Sequence, residues 1–235
     1  MNTTFLQADW RDLFMLSFRA KPELLAPYLP VGTELDTYEG SPLLSVVAFR
    51  FQKLKVLGIP IPFCQNFSQI NLRFYVYRKT PEGRVPGVVF IKELCPLALV
   101  SMSAKLLYRE NYHTTQTSFQ NHSGQMRYRW TWDGKENYLG AEVSPARSRA
   151  NAGTIEEFII ERFHGYRSGR KGKTVEFQVA HPTWRLREMK NSRWLIDVAS
   201  MYGAELAQAF TQAPVSTILV DGGPVAVGWR KCLEY

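Results

Sequence analysis

A ten-residue segment, residues 68–77, alternates cleanly between apolar and polar side chains. The apolar positions are Ile70, Leu72, Phe74 and Val76, and the polar positions are Gln69, Asn71, Arg73, Tyr75 and Tyr77. Because successive side chains of a strand point to opposite faces, the pattern predicts a strand with one core face and one polar face. Amide, guanidinium and phenol groups favour a lined site that orients a small polar or anionic ligand. A covered sheet face whose polar groups pair with one another would give the same pattern.

Most other patterned segments also favour strands, with a few helices inserted. Strands are predicted at 34–38, 43–51, 87–91, 113–119, 125–132, 138–143, 174–180, 215–220 and 225–229, and helices at 22–30, 96–109, 154–163 and 201–211. The helix predicted at 154–163 begins with a capping box, in which Thr154 precedes Glu157 by three residues. The segment 53–64 is too irregular for either element. This order predicts an α+β domain around a mainly antiparallel, curled sheet or barrel.

Composition supports one domain and leaves several partner classes open. The chain has 235 residues with 45% hydrophobic content, so we expect a single domain over residues 1–235. Its formal charge of +8 suits nucleic acid, anionic lipid or an anionic metabolite. The positive residues cluster at 147–173 and 185–193 without a recognisable nucleic-acid motif, and such runs are usually solvated faces. Nucleic acid is therefore not the expected partner.

The cysteines and the apolar segments favour a cytoplasmic protein. Cys64, Cys95 and Cys232 are far apart and odd in number, which indicates reduced thiols. The first ten residues lack a basic region followed by an apolar one, as a secretory signal would require. The longest apolar tract, 94–104, is interrupted by Pro96 and falls short of the roughly 20 residues of a membrane helix. No membrane partner is expected.

Motifs for common chemistries are missing from the sequence. It has no glycine-rich nucleotide loop, no HExxH pair and no GxSxG elbow. The four histidines share no ligand spacing, so neither a metal nor a cofactor is predicted. The carboxylates, such as Asp36, Glu93 and Glu161, are isolated in sequence, so acid or base roles cannot be assigned by spacing.

Several blocks in a fixed order nevertheless carry a family resemblance. These blocks are Pro22…Leu24-Leu25…Leu29-Pro30…Leu35-Asp36…Gly40, Gln69…Asn71…Arg73…Tyr75-Val76, Gly87-Val88…Phe90, Glu161-Arg162-Phe163…Tyr166, and His181…Trp184…Leu186. Together they resemble the YqjF-like family, a domain of unknown function within the acetoacetate decarboxylase-like superfamily. The resemblance spans most of the chain and rests on the order of the blocks.

The resemblance implies a cone-like β-barrel with flanking helices, whose interior holds a small oxo acid in the members that are enzymes. Those enzymes form a Schiff base on a lysine in a Pro-Lys-Lys run. The corresponding stretch here, 110–114, is Glu-Asn-Tyr-His-Thr and has no lysine; the nearest is Lys105, inside the predicted helix. Where the resemblance leads us to expect a glutamate on the polar strand, this sequence has Gln69, whose amide cannot shuttle a proton.

Three functional interpretations follow. The first is a barrel that binds a small anionic or carbonyl metabolite through Gln69, Asn71, Arg73 and Tyr75, either without chemistry or as a lyase, hydratase or isomerase with Tyr112 or His113 as acid or base. The second is a Schiff-base decarboxylase-type enzyme that uses Lys105. The third is an interaction protein that uses the basic 147–173 surface. A homo-oligomer is compatible with each of them.

Overall fold

The computed structural model describes residues 4–96 and 112–234, most of which lie in strands. The strands are β1 (Thr4–Arg19), β2 (Thr33–Leu35), β3 (Thr37–Tyr38), β4 (Ser41–Val56), β5 (Ile59–Pro60), β6 (Phe67–Thr80), β7 (Gly83–Cys95), β8 (Tyr112–Thr114), β9 (Thr117–His122), β10 (Gln125–Trp132), β11 (Lys135–Ser148), β12 (His164–Ser168), β13 (Thr174–Ala180), β14 (Leu186–Leu195), β15 (Ser216–Gly228) and β16 (Lys231–Leu233). The helices are short: α1 (Pro22–Leu25), α2 (Ile155–Ile160), α3 (Val198–Tyr202) and α4 (Ala204–Ala207), with 3-10 turns at Ala26–Tyr28, Arg170–Gly172 and Gln208–Phe210.

The strand pairings form a closed ring. Successive neighbours run β13–β12–β7–β6–β4–β1–β15, and β13 also pairs with β15. Apart from the parallel contact between β12 and β7, the pairs around the ring are antiparallel. From β15 the sheet continues outward through β14, β11, β10 and β9. The long strands β1, β4, β6 and β15 thus expose two faces, one inside the ring and one outside.

Each face of the ring has its own apolar core. The outer core contains Leu72 and Phe74 of β6, Tyr128 and Trp130 of β10, and Met201 of α3, so the outward extension and the helices cover the ring. The inner core contains residues of β1, β4, β6, β7 and β15 together with α2, whose Ile159 and Ile160 are buried in it. The inner face is therefore closed at one place by α2.

The sequence patterns located the elements better than their ends. The polar strand was predicted correctly and continues beyond the patterned segment as β6. The segment 53–64 contains the end of β4 and all of β5, and four further strands were not predicted: β1, β12, β14 and β16. The two strands predicted at 215–220 and 225–229 are one strand, β15. The helix predicted at 201–211 is divided by Gly203, which has a φ of 96°. Beyond Pro96, the helix predicted at 96–109 lies outside the described residues, as does Lys105.

Candidate functional site

The polar residues of β6 face the inside of the ring. Relative exposure is 2% for Gln69, 3% for Asn71, 8% for Arg73 and 0% for Tyr75. We call these four residues the polar row. Burial of polar groups is unfavourable unless each finds a partner, so their individual contacts decide what the row can do.

Two neighbouring strands add polar groups to the row. Asn71 lies opposite Glu93 of β7, and Glu93 lies opposite Tyr112 of β8. This arrangement depends on a break in the β6–β7 register, where Arg73 pairs with Phe90 but Leu72 pairs with Lys92, leaving Ile91 as an extra residue. Such a bulge shifts the alternation by one, so that Glu93 and not Lys92 faces inward.

Gln69 connects these groups. Its Nε2 donates to Glu93 Oε1 at 2.7 Å and lies 3.4 Å from the Tyr112 hydroxyl. Its Oε1 is buried and, within the described part of the chain, has no hydrogen-bond partner; the same holds for Asn71 Oδ1. This end of the polar row therefore presents acceptor oxygens that the described residues leave unsatisfied.

Arg73 is held at the other end by neutral groups. Its Nη2 donates to the carbonyl oxygen of Ile159 at 3.1 Å and to the sulfur of Met15 at 3.7 Å. Its Nε has no acceptor, and no ion pair joins Arg73 to a carboxylate among residues 4–96 and 112–234. Its guanidinium carbon lies 5.6 Å from the centre of the Tyr75 ring. Arg73 is thus fixed in position without a countercharge.

The hydroxyl of Tyr75 is already hydrogen-bonded. It lies 2.8 Å from Ser45 Oγ, which in turn lies 2.6 Å from Ser17 Oγ. A hydroxyl can donate one hydrogen and accept others, so this chain across β6, β4 and β1 satisfies the phenol. What Tyr75 offers to the site is therefore its ring.

A second buried guanidinium borders the same ring. The Arg162 guanidinium carbon lies 5.2 Å from the centre of the Tyr75 ring, and Arg162 forms an ion pair with Asp36 and donates from Nε to the Phe158 carbonyl. Burial lowers the pKa of Arg162, Asp36 opposes that shift, and the charge of Arg73 adds to it. Arg73 and Arg162 carry two positive charges, and Asp36, which pairs with Arg162, offsets one of them. The charges of these three residues therefore sum to an excess of positive charge at this end of the row.

The structure does not bring every sequence candidate to the row. Tyr112 is there, but His113 is the next residue of β8 and points to the opposite face, with its ring 5.5 Å from that of Trp132. In the basic 147–173 segment, Arg147 pairs with Asp221, Arg162 is buried, and Lys173 pairs with Glu234. Across the described residues, no group of three or more acidic, histidine or cysteine side chains could hold a metal ion.

Sequence reasoning missed two members of the site. Glu93 was one of several isolated carboxylates, and Arg162 was only part of one of the ordered blocks. Pairing β6 with β7 through the turn at Thr80 and Gly83 would have placed Glu93 near the row. Without the bulge, however, Glu93 would point to the outer face of the ring. The partner of Arg162, Asp36, is distant in sequence, and no local pattern indicates this pair.

Comparison with solved structures defines the class of fold as acetoacetate decarboxylase-like. The acetoacetate decarboxylase of Legionella pneumophila subsp. pneumophila str. Philadelphia 1 matches with a TM-score of 0.68 at 10% identity, covering 100% of this chain and 90% of that one. The enduracididine biosynthesis enzyme MppR, in complex with the condensation product of pyruvate and imidazole 4-carboxaldehyde, matches with a TM-score of 0.65 at 9% identity, covering 99% and 90%. At these identities the likeness concerns the fold.

Within that class, the chain belongs to the DUF2071 family of uncharacterized conserved proteins, whose model matches residues 7–221. It is also similar to the uncharacterized protein YqjF of Bacillus subtilis (strain 168), with 23% identity over 208 residues, which are 87% of this chain and 84% of that protein. The resemblance inferred from the ordered sequence blocks is confirmed. In the described part of the molecule, no helix combines the length and apolar character needed to cross a membrane.

Proposed function

We propose that the protein binds a small metabolite bearing a carboxylate at the polar row, inside a cone-like barrel formed by the ring of strands. The observation that carries this proposal is Arg73, a buried guanidinium whose Nε has no acceptor among the described residues. A carboxylate oxygen is a strong acceptor for a charged N–H donor such as Arg73 Nε, which makes a carboxylate the matching ligand group.

The energetics of burial support an anionic ligand. An unpaired buried charge is strongly unfavourable, and proteins usually supply a countercharge, as Asp36 does for Arg162. Arg73 instead rests on the Ile159 carbonyl and the Met15 sulfur, which orient the guanidinium without neutralising it. A bound carboxylate would complete the pairing, and Arg162, whose guanidinium carbon lies 5.2 Å from the centre of the Tyr75 ring, would add to the attraction.

The test is Arg73→Met measured by thermal shift with small carboxylates, including acetate, pyruvate and acetoacetate. The natural protein should be stabilised by at least one of them, and the variant should lose that stabilisation because the guanidinium is removed. Arg84→Met is the matched control, since Arg84 is exposed yet also stacks on a tyrosine, 4.3 Å from the Tyr77 ring centre. Equal shifts in the natural protein and in Arg73→Met would remove Arg73 from the site.

A lyase, hydratase or isomerase reaction at the same site is the second candidate function. It is favoured by the shared contact of Glu93 and Tyr112 with Gln69 Nε2, which brings a carboxyl group and a phenol to the inner face. Both are groups that can transfer protons. No described lysine reaches the polar row, so this chemistry would proceed without an imine, and borohydride trapping separates it from Schiff-base catalysis by Lys105.

We extend the proposal to a reducing compartment such as the cytoplasm. Cys64 and Cys232 are free thiols, and Cys64 is buried. Unpaired thiols are typical of proteins in reducing compartments. Fractionation of cells that express the protein would test this, and recovery outside the cytoplasm would contradict it.

A further inference from the structure

The orientation of the Gln69 amide is fixed by its neighbour. Glu93 Oε1 lies 2.7 Å from Gln69 Nε2, and a carboxylate only accepts hydrogen bonds. With Glu93 ionised, the flipped amide would bring two acceptor oxygens together at that distance, so the nitrogen faces Glu93. Gln69 Oε1 is consequently an acceptor whose direction is set by the protein.

That acceptor has no donor in the described protein, and neither has Asn71 Oδ1. Gln69 is 2% exposed and Asn71 is 3% exposed, so neither side chain can rely on open solvent. Leaving a buried acceptor unsatisfied is unfavourable, because the group loses its hydrogen bonds to water without gaining others. Both oxygens lie on the same face of β6 as Arg73. Asn71 is two residues from Arg73 along the strand, and Gln69 is four residues from it.

The two ends of the polar row therefore call for different ligand groups. Arg73 Nε is a donor that needs an acceptor, whereas Gln69 Oε1 and Asn71 Oδ1 are acceptors that need a donor. A 2-oxo or 3-oxo acid anion has acceptor oxygens at both ends, and its carbonyl would face the amide oxygens without forming a hydrogen bond. A hydroxyl in the place of that carbonyl supplies the missing hydrogen.

We infer that the ligand of this site is a small hydroxy acid, with its carboxylate at Arg73 and its hydroxyl donating to Gln69 Oε1 or Asn71 Oδ1. The inference rests on the proposed function, because it assigns the second group of a ligand whose first group is the carboxylate. A site of this kind would select hydroxy acids, whereas a site that donates a hydrogen bond to a ligand carbonyl would select oxo acids.

The test uses two matched series of acids and isothermal titration calorimetry. The first series is propionate, pyruvate and lactate, and the second is butyrate, acetoacetate and 3-hydroxybutyrate. In at least one series the hydroxy acid should bind about tenfold more tightly than both its oxo and its unsubstituted counterparts, as one added hydrogen bond to a buried acceptor would give. The 2-amino acid alanine, tested beside lactate, distinguishes an ammonium donor from a hydroxyl.

The outcomes separate the two proposals. If no acid binds, the proposed function fails. If acids bind through Arg73 but the oxo acid equals or exceeds the hydroxy acid in both series, the function stands and the hydroxy-acid inference is overturned; preference for alanine over lactate overturns it as well.

Gln69→Met and Asn71→Leu, each compared with the natural protein, add a second readout. Retained carboxylate binding with loss of the hydroxyl preference in either variant supports the assignment. Retention of the full preference in both variants contradicts it. The panel on the natural protein decides the question even if Gln69→Met, which also removes the donor to Glu93, does not fold.

Discussion

Tyr75 and Arg73 are alternate residues of one strand, yet their side chains have different roles. The Tyr75 hydroxyl is satisfied by Ser45, whereas its ring lies near the guanidiniums of both Arg73 and Arg162. We predict that Tyr75→Phe keeps carboxylate binding within about twofold, because the ring is retained, and lowers the free energy of unfolding by about 1 kcal/mol through the lost hydrogen bond.

Calorimetry with the best carboxylate and urea denaturation would measure the two effects. Tyr38→Phe is the control for stability, since the Tyr38 hydroxyl has only a long contact of 3.4 Å, to Gly153. A loss of binding in Tyr75→Phe as large as that in Arg73→Met would show that the hydroxyl contacts the ligand directly.

His164, the first residue of β12, provides a prediction on pH. Burial is the main cause that lowers its pKa, Arg78 adds to the shift, and Glu176 and a backbone hydrogen bond oppose it. The unfolded chain therefore binds a proton at higher pH than the folded protein does, so stability increases as the pH rises from the folded pKa to about 6.5. His164→Gln should flatten this increase.

Urea denaturation at a series of pH values between about 5 and 7 would measure the slope. His122→Gln, at an exposed position, is the matched control and should leave the slope as it is. An unchanged slope in His164→Gln would contradict the assigned cause.

At the scale of single residues, the sequence predicted which side chains share the inner face but not their partners. Strict alternation from Gln69 to Tyr75 was enough to group the polar row. The contact of Arg162 with Asp36 and that of Tyr75 with Ser45 join distant segments, so they depend on the assembled sheet. Local patterns contain no information on such pairs.

The helix α2 contributes to the site through its last carbonyl groups. Ile159 accepts from Arg73 and Phe158 accepts from Arg162, while the start of the helix is capped by Thr154, whose side chain accepts from the Glu157 amide. We predict that Thr154→Ala destabilises the protein by about 1 kcal/mol and also weakens carboxylate binding, because a frayed helix orients both guanidiniums less well.

Thr154→Ser keeps the capping oxygen and is the matched control. Denaturation and calorimetry on both variants would separate the two effects. If Thr154→Ala loses stability but binds carboxylates as the natural protein does, α2 supports the fold without positioning the arginines.

The β6–β7 hairpin shows why predicting the strands was not enough to place Glu93 in the site. Its turn pairs Thr80 with Gly83, and regular pairing from there would put Lys92 opposite Asn71. The extra residue Ile91 moves Glu93 into that position and turns Lys92 to the outer face, where its Nζ lies 4.6 Å from the Trp132 ring centre. No residue type in this segment predicts the bulge, and the outer-face contacts that accommodate it come from other elements.

At the scale of the whole molecule, residues 4–96 and 112–234 place no lysine at the polar row, and this makes a prediction about imine chemistry. Incubation with acetoacetate or pyruvate and borohydride should leave the protein mass unchanged, because Schiff-base formation needs an amine at the bound carbonyl. Intact-mass spectrometry would measure this. A stable adduct mapped to Lys105 would establish the Schiff-base alternative, whereas one at Lys92 would place the reaction on the outer face.

The architecture of the molecule was predicted through family resemblance more than through periodicity. The ordered blocks indicated the acetoacetate decarboxylase-like fold, which the structural comparison confirms. Periodicity alone missed β1, whose alternation is broken where its register with β4 shifts between Arg11 and Phe14 and where Asp12 has a φ of 54°. A bent strand of this kind is recognisable only beside the neighbours that it pairs with.

The pairing of β1 with β15 has a consequence for how the protein is made. During synthesis, β1 is made long before one of its two neighbours, the strand that begins at Ser216. Until then β1 can pair only with β4, and its other edge exposes unpaired backbone groups that invite association with other chains. Completion of the ring must therefore follow synthesis of β15, and the nascent protein has an extended period in which chaperones would protect that edge.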